Sequence, residues 1–172
     1  MQKRRVIVIF PCTDQMAYVE DFRARWDPLA YSVPAHITLV YPFESTVEDS
    51  KLEEIVGDVA HRHIPFAVEL ADPTVSEGEY LFLIPRRGRA QIDQLHRDLY
   101  RALPGAVLRV PFVAHMTIGR NPAPAEVQRA WHDAISRRIE VHGRAATVSM
   151  YTVHADGSRT VAFTTPIGPG IV

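Results

Sequence analysis

Residues 35–41, AHITLVY, and residues 114–118, AHMTI, repeat one short pattern in the two halves of the chain. In each segment an alanine precedes a histidine, an apolar residue and a threonine, and further apolar residues follow. Runs that combine β-branched and other apolar residues favour β-strands. The two histidines, His36 and His115, are 79 positions apart in a chain of 172 residues. This spacing of nearly half the chain predicts a duplicated unit.

The apolar pattern around these segments recurs in the same order. We predict strands at 6–10, 35–41, 64–70, 80–85, 113–118, 145–154 and 159–165, and helices after a cap at Asp14, from a cap at Thr46 to about His61, over 92–103 and over 124–138. The fold class is therefore α+β, with duplicated β-α-β-α-β units and antiparallel sheets around a central cleft. We expect one bilobal domain over 1–172, with pseudo-repeats of about 1–75 and 76–172.

Composition excludes several classes of protein. The chain is 47% hydrophobic and 23% charged, which is typical of a globular domain. No apolar run reaches the roughly 18 residues of a membrane span, so we expect no membrane partner. The net charge of −1 argues against broad binding of long nucleic acid. Cys12 is the only cysteine, which fits a reducing cytoplasm, and we expect a monomer.

The two His-x-Thr tripeptides suggest acid–base chemistry. In a strand, residues i and i+2 point to the same face about 6.5 Å apart, so each tripeptide presents an imidazole beside a hydroxyl. Two such strands across a cleft supply one group that removes a proton and another that donates one. The hydroxyls can donate hydrogen bonds to phosphate oxygens as charge develops. Packing alone also favours threonine in strands, so a structural reading of both tripeptides stays open.

Residues 34–43 and 114–120 resemble the two signatures of the two-histidine (2H) phosphoesterase superfamily, and the first is especially similar to its 2'-5' RNA ligase-like branch. The resemblance implies metal-independent action on 2',3'-cyclic phosphates or 2'-5'-linked phosphodiesters. It implies a catalytic pair, His36 and His115, with Thr38 and Thr117 as phosphate ligands. Arg120 matches a basic position of the family, and an ordinary salt bridge is the alternative for it. We expect no cofactor.

Several other side chains are candidates with a structural alternative. Tyr41, Phe43 and Tyr151 could stack on a nucleobase, although core packing is favoured. The arginines at 86–89 form either a solvated loop or a phosphate-binding edge. His61 and His63 do not share a helix face, so we expect no metal there. His96, His132 and His142 are expected on exposed surfaces.

The sequence therefore favours a phosphoesterase acting on a small nucleotide or an RNA terminus. A non-catalytic nucleotide or RNA-end binding module with the same cleft is the alternative, and a structural protein is a third reading. Both His-x-Thr tripeptides are intact, which favours the enzyme because a binder has little need for two opposed titratable groups. We assign His115 as base and His36 as acid, while the near-symmetry leaves the reverse open. Unperturbed histidines predict a bell-shaped pH profile around pH 6–7.

Overall fold

A computed structural model describes residues 2–169, which form eight strands and four helices within that range. In chain order they are β1 (Lys3–Ile9), α1 (Met16–Trp26), β2 (Ile37–Ser45), α2 (Asp49–Ala60), β3 (Phe66–Ser76), β4 (Tyr80–Arg87), α3 (Arg89–Ala102), β5 (Met116–Arg120), α4 (Pro124–Arg137), β6 (Val141–Ala145), β7 (Thr147–Val153) and β8 (Arg159–Pro166). No helix in residues 2–169 is long and apolar enough to cross a membrane.

The strands form one sheet in the order β6-β3-β4-β5-β2-β1-β7-β8, and all neighbouring strands pair antiparallel. The predicted α+β class and antiparallel pairing are confirmed. The predicted sheets are joined into one because β2 and β5 pair at a single position, Ile37 with Met116. The two motif strands therefore lie side by side at the centre.

Each half of the sheet contains strands from both halves of the chain. β3 follows the first motif in sequence but pairs with β4, while β7 and β8 complete the half that contains β1 and β2. Likewise α1 packs on β5, and α3 packs on β2. Each half of the sheet thus depends on elements from both halves of the chain. The pseudo-repeat boundaries and the single-domain assignment stay predictions.

The core lies between the sheet and the helices. Ile7 and Ile9 of β1 are fully buried on the helix side, and Val6 and Val8 are almost as buried on the opposite face. A central strand covered on both faces requires an uninterrupted apolar run. This requirement explains the β-branched stretch at 6–10.

Five predicted boundaries were wrong, and one strand was not predicted. Both motif strands begin just after their histidines, whose imidazoles donate to the Pro34 and Val113 carbonyls. α1 and α2 begin after Gln15 and Glu48, and neither helix has a side-chain cap. β3 continues to Ser76. β6, a strand on the sheet edge with a glycine at its centre, was not predicted.

Candidate active site

The four motif side chains form a compact array on one face of the sheet. Ile37 pairs with Met116, and this pair brings the residues on either side of it, His36 and Thr38 in one motif and His115 and Thr117 in the other, to the junction of the two strands. Opposed residues of an antiparallel pair project from the same face with their Cβ atoms about 4.5–5.5 Å apart. Ile37 and Met116 point the other way and are fully buried. Each imidazole shares a cavity with the hydroxyl of its own motif, His36 with Thr38 and His115 with Thr117.

An aromatic ring accompanies each motif histidine. The Phe82 ring stacks on the His115 imidazole, with centroids 3.8 Å apart and planes inclined by 24°. The Phe10 ring meets the His36 imidazole edge-on at 5.9 Å and also contacts the Tyr151 ring at 5.8 Å. Sequence reasoning missed both phenylalanines, because their place beside the motifs depends on the strand register.

Both histidines are anchored in the same way. His36 Nδ1 lies 2.7 Å from the Pro34 carbonyl oxygen, and His115 Nδ1 lies 2.7 Å from the Val113 carbonyl oxygen. A carbonyl only accepts, so each Nδ1 carries the hydrogen and donates it. Each Nε2 is therefore the proton acceptor of the neutral ring and a donor in the protonated ring. This tautomer suits either role in acid–base catalysis.

The pKa of each motif histidine is lowered. Burial, reinforced by the positive charges of Arg23 and Arg159, lowers the pKa of His36 from 6.5 to about 4. Burial also lowers the pKa of His115, against a smaller raising effect of its Val113 hydrogen bond. Both shifts favour the neutral imidazole. A bound phosphate anion would raise both values, since it favours the imidazolium form.

The cleft has two chemically different arms that meet at Tyr41. A cavity of about 350 Å³ contains His36 and Thr38, together with Arg4, Arg159, His154 and Tyr151. A second cavity of about 650 Å³ contains His115 and Thr117, with mainly apolar and aromatic walls. Its principal members are Tyr80, Phe82, Ile84, Val110, Pro111 and Val113. The tyrosine ring of Tyr41 borders both cavities.

The three candidates for base stacking occupy different environments. Tyr41 and Tyr151 are half-buried and border the cleft. Phe43 is buried in the core with 7% of its surface exposed, so its ring is not free to stack on a base. Core packing, the favoured alternative for Phe43, accounts for its placement. Base stacking by Tyr41 and Tyr151 stays a prediction.

The structure places Arg120 away from both motif cavities. Its guanidinium lies 3.6 Å from the Glu79 carboxylate and 5.0 Å from the centre of the Tyr80 ring, and it borders neither motif cavity. This contact favours the salt-bridge alternative, and the phosphate role of Arg120 stays a prediction. The arginine segment at 86–89 also lies outside these cavities, with Arg86 paired to Asp72. Arg159, which sequence reasoning missed, instead borders the His36 cavity and, together with Arg23, lowers the pKa of His36.

A buried charge network supports the backbone that leads into His36. The Arg23 guanidinium, 2% exposed, binds Asp27 through Nε and Nη2 at 3.0 and 2.8 Å. Its Nη1 binds Glu20 and the Val33 carbonyl. Glu20 in turn accepts a hydrogen bond from the backbone N–H of Ala35. The network therefore fixes the segment that carries the first imidazole.

The positions of the potential metal-ligating side chains can be compared directly in the described part of the chain. Within residues 2–169, no three or more His, Cys, Asp or Glu side chains are placed to hold a metal ion. His63 instead interacts with Asp98, with Nε2 3.1 Å from the carboxylate.

Comparisons with known proteins agree with the motif resemblance. A sequence model of the 2'-5' RNA ligase superfamily matches residues 10–157. A protein of Geobacillus kaustophilus named "Putative phosphoesterase" is 33% identical over 127 residues, which is 70% of each chain. A protein of the same name from Geobacillus thermodenitrificans is 29% identical over 126 residues, again 70% of each chain.

Solved structures share the fold. The crystal structure of E. coli LigT complexed with 3'-AMP has a TM-score of 0.67 at 17% identity and covers 98% of this chain and 100% of that chain. LigT complexed with ATP gives a TM-score of 0.60 at 16% identity, with the same coverage. At these identities the match establishes the architecture alone.

Proposed function

Because the chain belongs to the 2'-5' RNA ligase superfamily, the two-histidine phosphoesterases, we propose that it is a metal-independent cyclic phosphodiesterase. Its substrates are the 2',3'-cyclic phosphate or 2'-5'-linked phosphodiester of nucleotides or RNA ends. The observation that carries the proposal is the array of two Nδ1-anchored histidines and two threonines on one face of the sheet. We further propose that it acts as a monomer in the cytoplasm.

The array provides each proton transfer that opening a 2',3'-cyclic phosphate requires. Neutral His115 accepts a proton from water at Nε2 as the water oxygen forms a bond to phosphorus. The bond from phosphorus to the ribose 3'-oxygen breaks, and protonated His36 donates its Nε2 proton to that oxygen. Thr38 and Thr117 donate hydrogen bonds to the non-bridging oxygens, where charge develops. The product is a 2'-phosphate with a free 3'-hydroxyl.

A substrate panel tests the proposal. Purified protein is incubated with 2',3'-cyclic nucleotides, 2'-5'-linked dinucleotides, 3'-5'-linked dinucleotides and RNA ending in a 2',3'-cyclic phosphate. We expect turnover of at least one cyclic or 2'-5'-linked substrate and none of the 3'-5'-linked dinucleotide. Binding of these ligands without turnover would instead identify the non-catalytic binding module.

The pH profile is expected to differ from that of unperturbed histidines. The lowered pKa values of His36 and His115 move both limbs of the kcat/KM bell below pH 6.5, so its maximum lies on the acid side of pH 6–7. Bound phosphate raises both pKa values, so the kcat bell is displaced to higher pH. The two limbs belong to the coupled pair. Steady-state kinetics from pH 4 to 9 measure both profiles, and a kcat/KM that rises steadily to pH 9 would contradict the assignment.

The acid and base can be told apart by the leaving group. A p-nitrophenolate leaves without being protonated, so His36→Ala should keep most of its activity on a nucleoside p-nitrophenyl phosphodiester while losing it on a 2',3'-cyclic nucleotide. His115→Ala should lose activity on both, since water still needs a base. Rates of p-nitrophenolate release provide the measurement. The opposite pattern would exchange the two roles.

A further inference from the structure

Three arginines line two adjoining cavities, one of which is the His36 arm of the cleft. Arg159 on β8 and Arg4 on β1 border the cavity that contains His36. Arg4 also borders an adjoining cavity of about 370 Å³, whose far side carries Arg109 in the loop between α3 and β5. Tyr41 and Pro42 border both cavities, so the two spaces adjoin along this edge. We call Arg159, Arg4 and Arg109 the arginine track.

The arginine track has an unbalanced positive charge. Within residues 2–169 none of its three guanidinium groups lies within 4.0 Å of a carboxylate, whereas Arg23, Arg86 and Arg137 elsewhere are paired. Arg159 is half-buried and donates only to the Gly157 carbonyl, at 3.3 Å. Glu44 borders the outer cavity and is the cross-strand neighbour of Arg4. Three cations against one carboxylate along the two cavities favour an anionic ligand.

The other arm of the cleft has the opposite character. The cavity around His115 has no arginine or lysine among its lining residues, and Glu77 is its only charged carboxylate neighbour within the described chain. Its aromatic and aliphatic walls suit the flat, apolar faces of a nucleobase. A substrate that spans the cleft is therefore expected to direct a base towards His115 and its further phosphates towards His36.

We propose that the arginine track binds a second phosphate of the substrate, so that an oligonucleotide terminus is preferred to a mononucleotide. The inference rests on the proposed function, since it places the scissile phosphate between His36 and His115. Arginine forms bidentate, charge-assisted hydrogen bonds to phosphate, and its planar fork makes it the preferred side chain for such contacts. The track extends across two cavities, which is longer than the single phosphate of a cyclic mononucleotide requires.

The test compares three substrates that share one scissile group. They are adenosine 2',3'-cyclic phosphate, the same nucleotide with a 5'-phosphate, and a trinucleotide that ends in a 2',3'-cyclic phosphate. We expect the wild-type kcat/KM to be at least about tenfold higher for the trinucleotide than for the nucleotide without a 5'-phosphate. Arg4→Met, Arg109→Met and Arg159→Met should each reduce that ratio about three- to tenfold. The 5'-phosphorylated mononucleotide distinguishes a single terminal phosphate from a chain, because only the chain carries a further phosphate that Arg109 could bind.

Arg62→Met is the matched control, since Arg62 is exposed and borders none of these cavities. The ratio of its kcat/KM on the trinucleotide to its kcat/KM on the nucleotide without a 5'-phosphate should equal the wild-type ratio. A wild-type ratio near one, or an equal loss on all three substrates in the track variants, would overturn the proposal.

Binding provides a readout that does not depend on turnover. Fluorescence anisotropy of a labelled trinucleotide 2'-phosphate should show weaker binding in each track variant. The slope of log Kd against the logarithm of the salt concentration should decrease by about 0.7 for each phosphate contact removed. Loss of binding in the variants, with no turnover of any substrate by the wild type, would preserve the subsite and reject the proposed activity. Turnover of the mononucleotide by the wild type, with no effect of the variants on trinucleotide binding, would reject the subsite and preserve the proposed activity.

Discussion

Replacing His36 or His115 by alanine should lower kcat on a 2',3'-cyclic nucleotide by about 10²–10⁴-fold for each histidine, while the fold is retained. Each imidazole is half-buried at the cleft surface, and the neighbouring Ile37 and Met116 side chains maintain the core on the other face of the sheet. The loss therefore reflects the missing proton transfer. Initial rates and circular dichroism of the purified variants measure the two effects separately.

Three variants calibrate this result. His61→Ala removes an exposed imidazole at the end of α2, outside both motif cavities, and should leave activity unchanged. Thr38→Val and Thr117→Val should lose less activity than the histidine variants, because each removes one hydrogen-bond donor and keeps the shape of the strand residue. Histidine variants with native circular dichroism and wild-type rates would refute the catalytic assignment.

Replacing Asp27 by alanine should lower the free energy of unfolding by about 3–5 kcal/mol. The Arg23 guanidinium is buried and makes two of its hydrogen bonds to the Asp27 carboxylate, so the variant leaves a buried charge without that partner. Asp27 also accepts a hydrogen bond from the Leu29 backbone N–H. Urea denaturation followed by circular dichroism measures the change.

The double variant Arg23→Met, Asp27→Leu distinguishes loss of pairing from loss of packing. Removing both charges eliminates the unpaired guanidinium, so it should recover part of the stability lost in Asp27→Ala. Asp58→Ala, at an exposed position of α2, is the control and should change stability by no more than about 0.5 kcal/mol. An Asp27→Ala variant as stable as Asp58→Ala would show that the network contributes little to the fold.

Local pattern alone was sufficient to place the four motif side chains on a common face. Alternation in a strand directs residues i and i+2 to one side, and the cavity linings place His36 with Thr38 and His115 with Thr117. The meeting of the two motif strands at Ile37 and Met116 could not be predicted, because it depends on the register between two strands that are distant in sequence. The pairing of β1 with β2 and of β4 with β5 determines which phenylalanine meets which histidine.

Arginine placement could not be read from sequence proximity. Arg120 follows the second motif directly, yet the strand carries it to Glu79 and Tyr80. Arg159 is distant from both motifs in sequence but reaches the His36 cavity, because β8 completes the half of the sheet that contains β2. An exchange of strands between the two halves of the chain leaves no signal in local periodicity.

His96 shows the same limitation within a helix. We predicted an exposed surface position, which was wrong for this residue, whereas His132 and His142 are exposed. The His96 ring is 4% exposed, stacks on Phe112 with centroids 3.6 Å apart, and donates from Nδ1 to the Leu39 carbonyl at 2.7 Å. Its partners come from β2 and from the loop before β5, so only the tertiary packing of α3 reveals its burial.

Phosphorus NMR of a 2',3'-cyclic nucleotide, incubated with the protein after exhaustive treatment with EDTA, tests the central claim most directly. The spectrum identifies the cyclic substrate, the 2'-phosphate and the 3'-phosphate in one sample, and the His36→Ala, His115→Ala double variant provides the blank. We predict that the cyclic signal converts to the 2'-phosphate at the rate of the untreated protein. Activity that disappears with EDTA and returns with a divalent ion would contradict the two-histidine mechanism, and a predominant 3'-phosphate would contradict the orientation of the ribose.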